Sequence, residues 1–147
     1  MASMLIGEYR HTLDPKKRLS LPAKFRKELG RSVVITRGLD HCLFLLSESS
    51  WKKLVQKFSE LSIGSPDTRG FNRFMLSGAV EAEVDSAGRI LVPDFLKDFA
   101  NLKTDVVLAG VGERVEVWDA KRWSTYKNDI ESRGDAMAGK LAEAGVL

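Results

Sequence analysis

Two segments of the sequence combine an aspartate with an arginine four residues later, Asp14–Arg18 and Asp85–Arg89. In the first, Asp14 and Pro15 are typical of a type I turn, because aspartate accepts backbone N–H bonds and proline presets φ. A three-residue hairpin loop places its last residue in the left-handed region. That residue is Gly88 in the second segment but Lys17 in the first, where a side chain costs on the order of 1 kcal/mol. Either the Lys17 charge is useful there or the turn tolerates a lysine.

The two segments differ in their charge. Residues 8–30 hold seven basic and three acidic side chains, a balance of +4, whereas residues 79–101 hold two basic and five acidic, a balance of −3. A basic hairpin can bind a polyanion and an acidic one repels it, although a charged run is often only a solvated face. We expect Asp14 and Asp85 to shape their turns, and Arg89, in the acidic segment, to be structural.

The basic hairpin suits contact with duplex DNA, because a two-stranded ribbon fits a major groove about 12 Å wide. Five basic side chains lie in or beside the turn and are the candidate DNA contacts: Arg10, His11, Lys16, Lys17 and Arg18. The two lysines suit phosphates, and the other three could reach base edges. The aromatic residues of this segment, Tyr9 and Phe25, fit core positions, so stacking on single strands or RNA is less favoured.

Few residues are candidates for catalysis or for binding a metal or a cofactor. The histidines His11 and His41 and the single Cys42 cannot make a four-ligand zinc site from Cys and His alone. On one strand, His41 and Cys42 would point to opposite faces, which does not suit a thiolate–imidazole pair. Gly110-Val-Gly112 precedes a strand-like alternation, whereas a dinucleotide-binding glycine motif opens a helix. The sequence therefore predicts no enzyme activity, metal or cofactor.

The composition is that of a globular chain of 147 residues, with 44% hydrophobic and 29% charged residues. The longest strictly apolar run is Leu43–Leu46, so we expect no transmembrane helix and no membrane partner. One cysteine excludes an intrachain disulfide, and the N-terminal residues do not have the pattern of a signal peptide. A reducing, cytoplasmic compartment is the expectation.

The elements that carry the two turns occur twice in the chain. Sliding the sequence by 71 or 72 residues superimposes matched pairs: Gly7/Gly78, Asp14/Asp85, Arg18/Arg89, Pro22/Pro93, Gly38/Gly110 and Trp51/Trp123. In the first copy we predict strands over 8–13, 18–21, 33–37 and 42–46, and a helix over Ala23–Leu29 with Pro22 at its first position. A unit this small buries little core alone, so two units can complete each other as a fused pseudo-dimer.

The remainder of the chain contains residues that are typical of helix N-termini. Ser47 and Asp119 are predicted N-caps of the helices that carry Trp51 and Trp123, and Ser65 is the predicted N-cap of a further helix. A short helix is expected over 135–144. The predicted organisation is a first unit, a helical connection, a second unit, and a C-terminal helix and tail, at 7–54, 55–77, 78–126 and 127–147.

The segment Gly7-Glu-Tyr-Arg-His-Thr-Leu-Asp14, the repeated Asp-x-x-x-Arg and the segment Val115-Glu-Val-Trp118 resemble the MraZ family. That family belongs to the AbrB/SpoVT superfamily of swapped-hairpin DNA-binding domains, and the resemblance covers about residues 5–132. It implies an α+β chain of two tandem AbrB-like swapped-hairpin β units forming a pseudo-dimeric barrel, with helices after each unit. It also implies a ring-shaped homo-oligomer.

The resemblance further implies a bacterial, nucleoid-associated transcriptional regulator, often a repressor, of the division and cell-wall gene cluster that includes its own promoter. One hairpin offers few contacts, and identical weak sites gain avidity when they are linked. We therefore expect the basic hairpins of several subunits to bind short direct repeats in double-stranded DNA.

Two features depart from the family pattern. Lys17 stands where the family usually has glycine, and Met1–Ser3 precede Met4, where members usually begin, so these three residues are an alternative start or an addition. The alternative functions are an AbrB-type antitoxin and an architectural DNA-binding protein without an operator. An antitoxin typically pairs one hairpin domain with a disordered tail, whereas here the domain is doubled and the tail is short.

Overall fold

The computed structural model describes residues 4–147, and the interpretation of Met1–Ser3 lies outside the described residues. Eight strands and six helices follow one another in this range: β1 Leu5–Thr12, β2 Arg18–Ser20, α1 Ala23–Leu29, β3 Ser32–Arg37, β4 Leu43–Ser47, α2 Glu48–Ser59, α3 Pro66–Leu76, β5 Val80–Glu83, β6 Arg89–Leu91, α4 Asp94–Phe99, β7 Asp105–Gly112, β8 Val115–Asp119, α5 Ala120–Ser132 and α6 Gly134–Glu143. The α+β class is confirmed.

The strands form two antiparallel sheets. The larger has six strands in the order β1-β7-β8-β4-β3-β5, and the smaller is a ribbon of β2 and β6. No closed barrel is found within residues 4–147, so the swapped-hairpin barrel stays a prediction.

The two copies of the repeat exchange their first strands. Strand β1 of the first copy pairs with β7 of the second, and β5 of the second pairs with β3 of the first. Thr12 lies opposite Asp105 and Glu83 lies opposite Ser32, which are equivalent positions of the two copies. Each copy therefore completes the sheet of the other.

The ribbon of β2 and β6 lies where the two copies meet. Leu19 faces Ile90, its equivalent in the repeat, and both side chains are buried. Just beyond the ribbon, the Leu21 N–H donates to the Gly88 carbonyl and the Val92 N–H to the Lys17 carbonyl, each at 2.9 Å. Each turn is therefore hydrogen-bonded to the other copy.

The central strands of the large sheet, β7, β8, β4 and β3, are buried on both faces. Val106 and its neighbour Val107, on opposite faces of β7, belong to different core clusters. The cluster around Val106 includes the ribbon, α1 and α4, and the cluster around Val107 includes α2, α3 and α5. Both Asp-x-x-x-Arg turns therefore lie on the side of the sheet that the ribbon covers.

The helix caps agree with the sequence pattern. The side chains of Ser47, Ser65 and Asp119 accept a backbone N–H from the residue three positions later. Helix α1 has the predicted bounds, but Pro22 is its N-cap and not its first helical residue. Strand β1 begins three residues earlier than predicted, because its whole length pairs with β7 of the other copy.

Candidate nucleic-acid interface

The first turn is built around the Asp14 carboxylate. Its Oδ1 accepts the backbone N–H groups of Lys16 at 2.9 Å and Arg18 at 2.8 Å, and its Oδ2 accepts Arg18 Nε at 2.7 Å. These bonds, the backbone bond of Arg18 foremost, hold the pKa of Asp14 below its usual value. Lys17 has a φ of +62°, so the predicted left-handed residue is confirmed.

The second turn repeats this construction. Asp85 Oδ1 accepts the N–H groups of Ala87 and Arg89, each at 2.9 Å, and Oδ2 accepts Arg89 Nε at 3.1 Å. The backbone bond of Arg89 is the largest cause of a lowered Asp85 pKa. Gly88 has a φ of +78°, where glycine carries no side-chain penalty.

Both arginines present their guanidinium ends in the same way. Arg18 and Arg89 hydrogen-bond their aspartates through Nε, and their Nη groups make no hydrogen bond to another residue of the described range. The side chains are 34% and 32% exposed. Each aspartate thus fixes the direction of a guanidinium whose two Nη groups remain available to a ligand, and this geometry alone does not distinguish the two arginines.

The Lys17 charge is paired inside the chain. Its ammonium group forms an ion pair with Asp94, the first residue of α4 in the other copy, with side-chain exposures of 39% and 68%. Lys16, next to it, is exposed at the tip of the turn. Of the two lysines that the sequence assigned to phosphates, Lys16 is the one whose ammonium group has no ion-pair partner among residues 4–147.

Arg10 and His11 lie on β1, the edge strand of the large sheet, opposite Val107 and Val106. As neighbours on a strand they point to opposite faces. Arg10 is exposed and borders an open cleft with Lys103 and the start of α5. The structure therefore brings Lys16, Lys17 and Arg18 together in one turn but separates Arg10 from His11.

Sequence reasoning missed the basic residues that the strand exchange brings to each turn. Lys97 and Lys103 line a cleft with Asp14 and Lys17 at the first turn. Arg26 and Arg31 line an equivalent cleft at the second turn, beside Asp85. The charge counts over residues 8–30 and 79–101 grouped each turn with the helix that follows it in the chain. In the fold, α4 lies beside the first turn and α1 lies beside the second. These neighbours could have been predicted only from the sequence repeat together with an exchange of strands between its two copies.

The side chains of Cys42 and His41 make contacts within the fold that are typical of structural residues. Cys42 is buried, its thiol donates to the Leu39 carbonyl at 3.2 Å, and burial raises the pKa of the thiol. The His41 ring stacks on Phe99 with centroids 5.6 Å apart. Within the described range, no three His, Cys, Asp or Glu side chains are arranged to hold a metal ion, and none of the helices there has the length and hydropathy to span a membrane.

Comparison with known proteins places the whole fold in one family. A family model described as "MraZ protein, putative antitoxin-like" matches residues 4–74 and again 75–140. Similar curated proteins include the transcriptional regulator MraZ of Alkaliphilus oremlandii, 46% identical over 143 residues that cover 97% of this chain and 100% of the relative. Those of Natranaerobius thermophilus and Halothermothrix orenii are 46% and 44% identical, covering 95% and 97% of this chain and 98% and 100% of the relatives. The chain belongs to the MraZ family.

Proposed function

We propose that this chain is a transcriptional regulator that binds double-stranded DNA sequence-specifically through the turn Asp14–Arg18. The observation that carries the proposal is the Asp14 carboxylate, which accepts three hydrogen bonds within the turn and leaves both Nη groups of Arg18 available. The name of the curated relatives, transcriptional regulator MraZ, supports regulation as the role.

Each side chain of the turn has a distinct task in this proposal. The exposed Lys16 contacts a DNA phosphate, and Lys17 does so when it leaves Asp94. Two Nη donors in a fixed plane match the O6 and N7 acceptors of guanine in the major groove, so Arg18 reads a base edge. Asp14, Asp85 and Arg89 keep the two turns in shape.

His11 remains a proposed DNA contact beside the turn, and Arg10 remains one on the other face of β1, which carries α5. Because they lie on opposite faces of β1, they cannot contact one groove wall together. We assign Arg10, which is exposed, to the DNA backbone. His11, half-buried on the face that carries Tyr9, is the contact closer to the turn.

The regulated genes are inferred from family membership. We infer that the chain represses the division and cell-wall gene cluster, including its own promoter, and acts at the nucleoid in the cytoplasm. The AbrB-like swapped-hairpin unit is the fold that this proposal assigns to each copy. The strands exchanged between the copies support it.

A ring-shaped homo-oligomer would supply the affinity that one turn lacks. Non-specific contacts by a few cations give dissociation constants of about 10⁻⁴–10⁻⁶ M at physiological salt, and linking identical sites gains about 10²–10⁴. Leu61 and Ile63, which follow α2, are 46% and 78% exposed and offer apolar surface that another copy can cover. Light scattering at micromolar concentration should give a mass of several chains, and a monomer would contradict the ring.

The salt dependence of binding tests the DNA-binding turn. The triple variant Lys16→Ala, Lys17→Ala, Arg18→Ala should bind a duplex from the upstream region of its own gene more weakly. The slope of log affinity against log salt concentration should flatten by about 0.9 for each DNA phosphate that the variant no longer neutralises. A matched control removes the same charge from the far side of the sheet, with Lys52→Ala, Lys53→Ala and Lys57→Ala on α2.

The result decides between the proposal and its alternatives. A folded triple variant that keeps the wild-type slope and affinity would show that the turn is not the DNA contact. Equal affinity of the wild type for upstream and unrelated duplexes would favour an architectural protein without an operator. A wild type that binds no duplex would remove the proposal and leave the antitoxin alternative that the family description includes.

A further inference from the structure

A cleft lies between helix α5 and the loop of residues 38–42 that joins β3 to β4. Its volume is about 670 Å³, within the range of about 300–1,000 Å³ that is usual for small-molecule sites. The rings of Trp118 and Tyr126, which stack with centroids 4.9 Å apart, line its apolar part and belong to the core cluster on the side away from the ribbon. The loop contributes Asp40 and His41 to the opposite wall.

The repeat provides a comparison within the same chain. The equivalent cleft lies between α2 and the loop that joins β7 to β8, but its volume is only about 120 Å³. Leu46 and Leu54 stand there in the positions of Trp118 and Tyr126. The larger cleft with its aromatic lining is therefore particular to one copy, and the packing of the repeat does not require it.

The loop that forms one wall is held in a strained conformation. Asp40 and His41 have φ values of +63° and +60°, which cost residues with a side chain on the order of 1 kcal/mol each. The two Nη groups of Arg122 donate to the carbonyls of His41 and Asp40, each at 3.3 Å. The Gly38 N–H donates to the Cys42 carbonyl at 2.8 Å. Backbone strain that is maintained by surrounding contacts is typical of ligand sites, so this loop is a candidate wall of such a site.

The cleft offers one unpaired charge of each sign. The Asp40 carboxylate and the Lys121 ammonium group form no ion pair with another residue of the range 4–147. The other charged groups of the cleft are engaged, Arg122 with the loop carbonyls and Asp129 with the arginine four positions later. Burial, and after it the negative charge of Asp40, raises the pKa of Tyr126, so this carboxylate lies near that ring. A ligand with both charges and an aromatic ring would complement these groups.

We propose that this cleft binds a small zwitterion with an aromatic body, of the amino-acid or dipeptide class. Asp40 accepts hydrogen bonds from the ammonium group of the ligand, and Lys121 donates to its carboxylate. The aromatic body packs against Tyr126 and Trp118. The site lies apart from the proposed DNA-binding turn, so the ligand and a duplex can be bound at the same time.

A line of contacts connects the cleft to the first turn. The His41 ring stacks on Phe99, the last residue of α4, with centroids 5.6 Å apart. The first residue of α4 is Asp94, which pairs with Lys17 in the turn. A ligand that favours this conformation of the loop also favours the state in which Lys17 is tied to Asp94, so it should weaken DNA binding. This effector role rests on the proposed DNA-binding function.

Calorimetric titration of the full chain tests the site, with L-phenylalanine and glycyl-L-phenylalanine as the zwitterionic probes. Saturable binding is expected, and the tighter probe identifies the spacing of the ligand charges. Phenethylamine lacks the carboxylate and hydrocinnamate lacks the ammonium group. Each should bind about tenfold or more weakly, as expected for the loss of a hydrogen bond to a charged group. If none of the four compounds binds, or if the singly charged ones bind as tightly as the zwitterions, the inference fails.

Two conservative variants separate the charges of the site. Asp40→Asn keeps a residue type that tolerates left-handed backbone, and it should weaken the zwitterion about tenfold while hydrocinnamate binds no more weakly than to the wild type. Lys121→Gln should weaken the zwitterion similarly while phenethylamine binds no more weakly. Asp67→Asn on α3 and Lys53→Gln on α2 are the matched controls and should bind as the wild type does. Wild-type affinity for the zwitterion in both Asp40→Asn and Lys121→Gln would overturn the assignment.

Titration of the upstream duplex in the presence of the tighter probe tests the link to the turn. The probe should weaken DNA binding by a factor in the usual range for coupled sites, about 5–150. Phe99→Leu removes the ring on which His41 stacks and should abolish this effect while the probe still binds. If the probe binds and DNA affinity is unchanged, the effector role is wrong. If the probe binds and the wild type binds no duplex, the proposed function fails and the ligand site stands.

Discussion

Lys17 has a strained backbone conformation, and its ammonium group already forms an ion pair within the chain. Its φ of +62° costs on the order of 1 kcal/mol for a residue with a side chain. Its ammonium group is tied to Asp94 across the two copies, and a partly exposed pair of this kind contributes about 0–1 kcal/mol. The pair offsets part of the strain, and it must open before Lys17 can contact a ligand at the turn.

Removing the partner of Lys17 should therefore strengthen DNA binding. In Asp94→Asn, Lys17 no longer has to leave an ion pair before it contacts a phosphate, so the affinity for DNA should rise while the salt slope stays as in the wild type. Asp67→Asn changes an equivalent carboxylate in the first turn of α3 and should leave DNA binding unchanged. An unchanged affinity in Asp94→Asn would mean that Lys17 serves only to tie the two copies together.

The aspartates of the turns should make stability depend on pH in acid. The pKa values of Asp14 and Asp85 are lowered in the fold, so their contribution is complete above the unfolded pKa near 3.8 and is lost as pH falls through the lower folded value. Thermal melts of Asp14→Asn, Asp85→Asn should show a lower Tm than wild type at pH 7. The difference should shrink below about pH 4, and a difference that stayed constant to pH 3 would contradict the assignment.

At the scale of elements, local sequence patterns correctly predicted the features that interactions between nearby residues determine. The bounds of α1, the caps Ser47, Ser65 and Asp119 and the left-handed Lys17 all follow from hydrogen bonds and sterics within a few residues. The pairing of β1 with β7 joins residues about 100 positions apart, and nothing local specifies it. That pairing also explains why β1 extends beyond the predicted strand.

At Gly110 the exchanged strand β1 lies close to the backbone of β7. A Cβ built on it would lie 2.7 Å from the backbone of both Leu5 and Ile6 on β1, which cannot move aside as a flexible side chain could. Gly110→Ala should lower the free energy of unfolding by about 1–3 kcal/mol, measured by denaturant titration. Gly139→Ala, on α6 with no atom within 4 Å of its Cβ, should be neutral or stabilising. Equal stability of Gly110→Ala and wild type would contradict the tight crossing.

At the scale of the whole molecule, the sequence located the candidate residues of the turns but not their electrostatic surroundings. Counting along the chain gave a basic hairpin and an acidic one. In the fold, Asp94 lies on the first turn and Arg26 on the second, so the contrast is largely cancelled. Charge patterns along a sequence predict surface fields only where the neighbouring elements are also neighbours in space.

Footprinting of the chain on the region upstream of its own gene tests the central claim most directly. We predict protection of several short direct repeats spaced about one helical turn, roughly 10 bp, because a ring presents identical turns to one face of the duplex. Inserting five base pairs between two repeats should put one site on the opposite face and cut the affinity sharply. Protection that ignores sequence, or full affinity after the insertion, would contradict a sequence-specific regulator that binds through repeated turns.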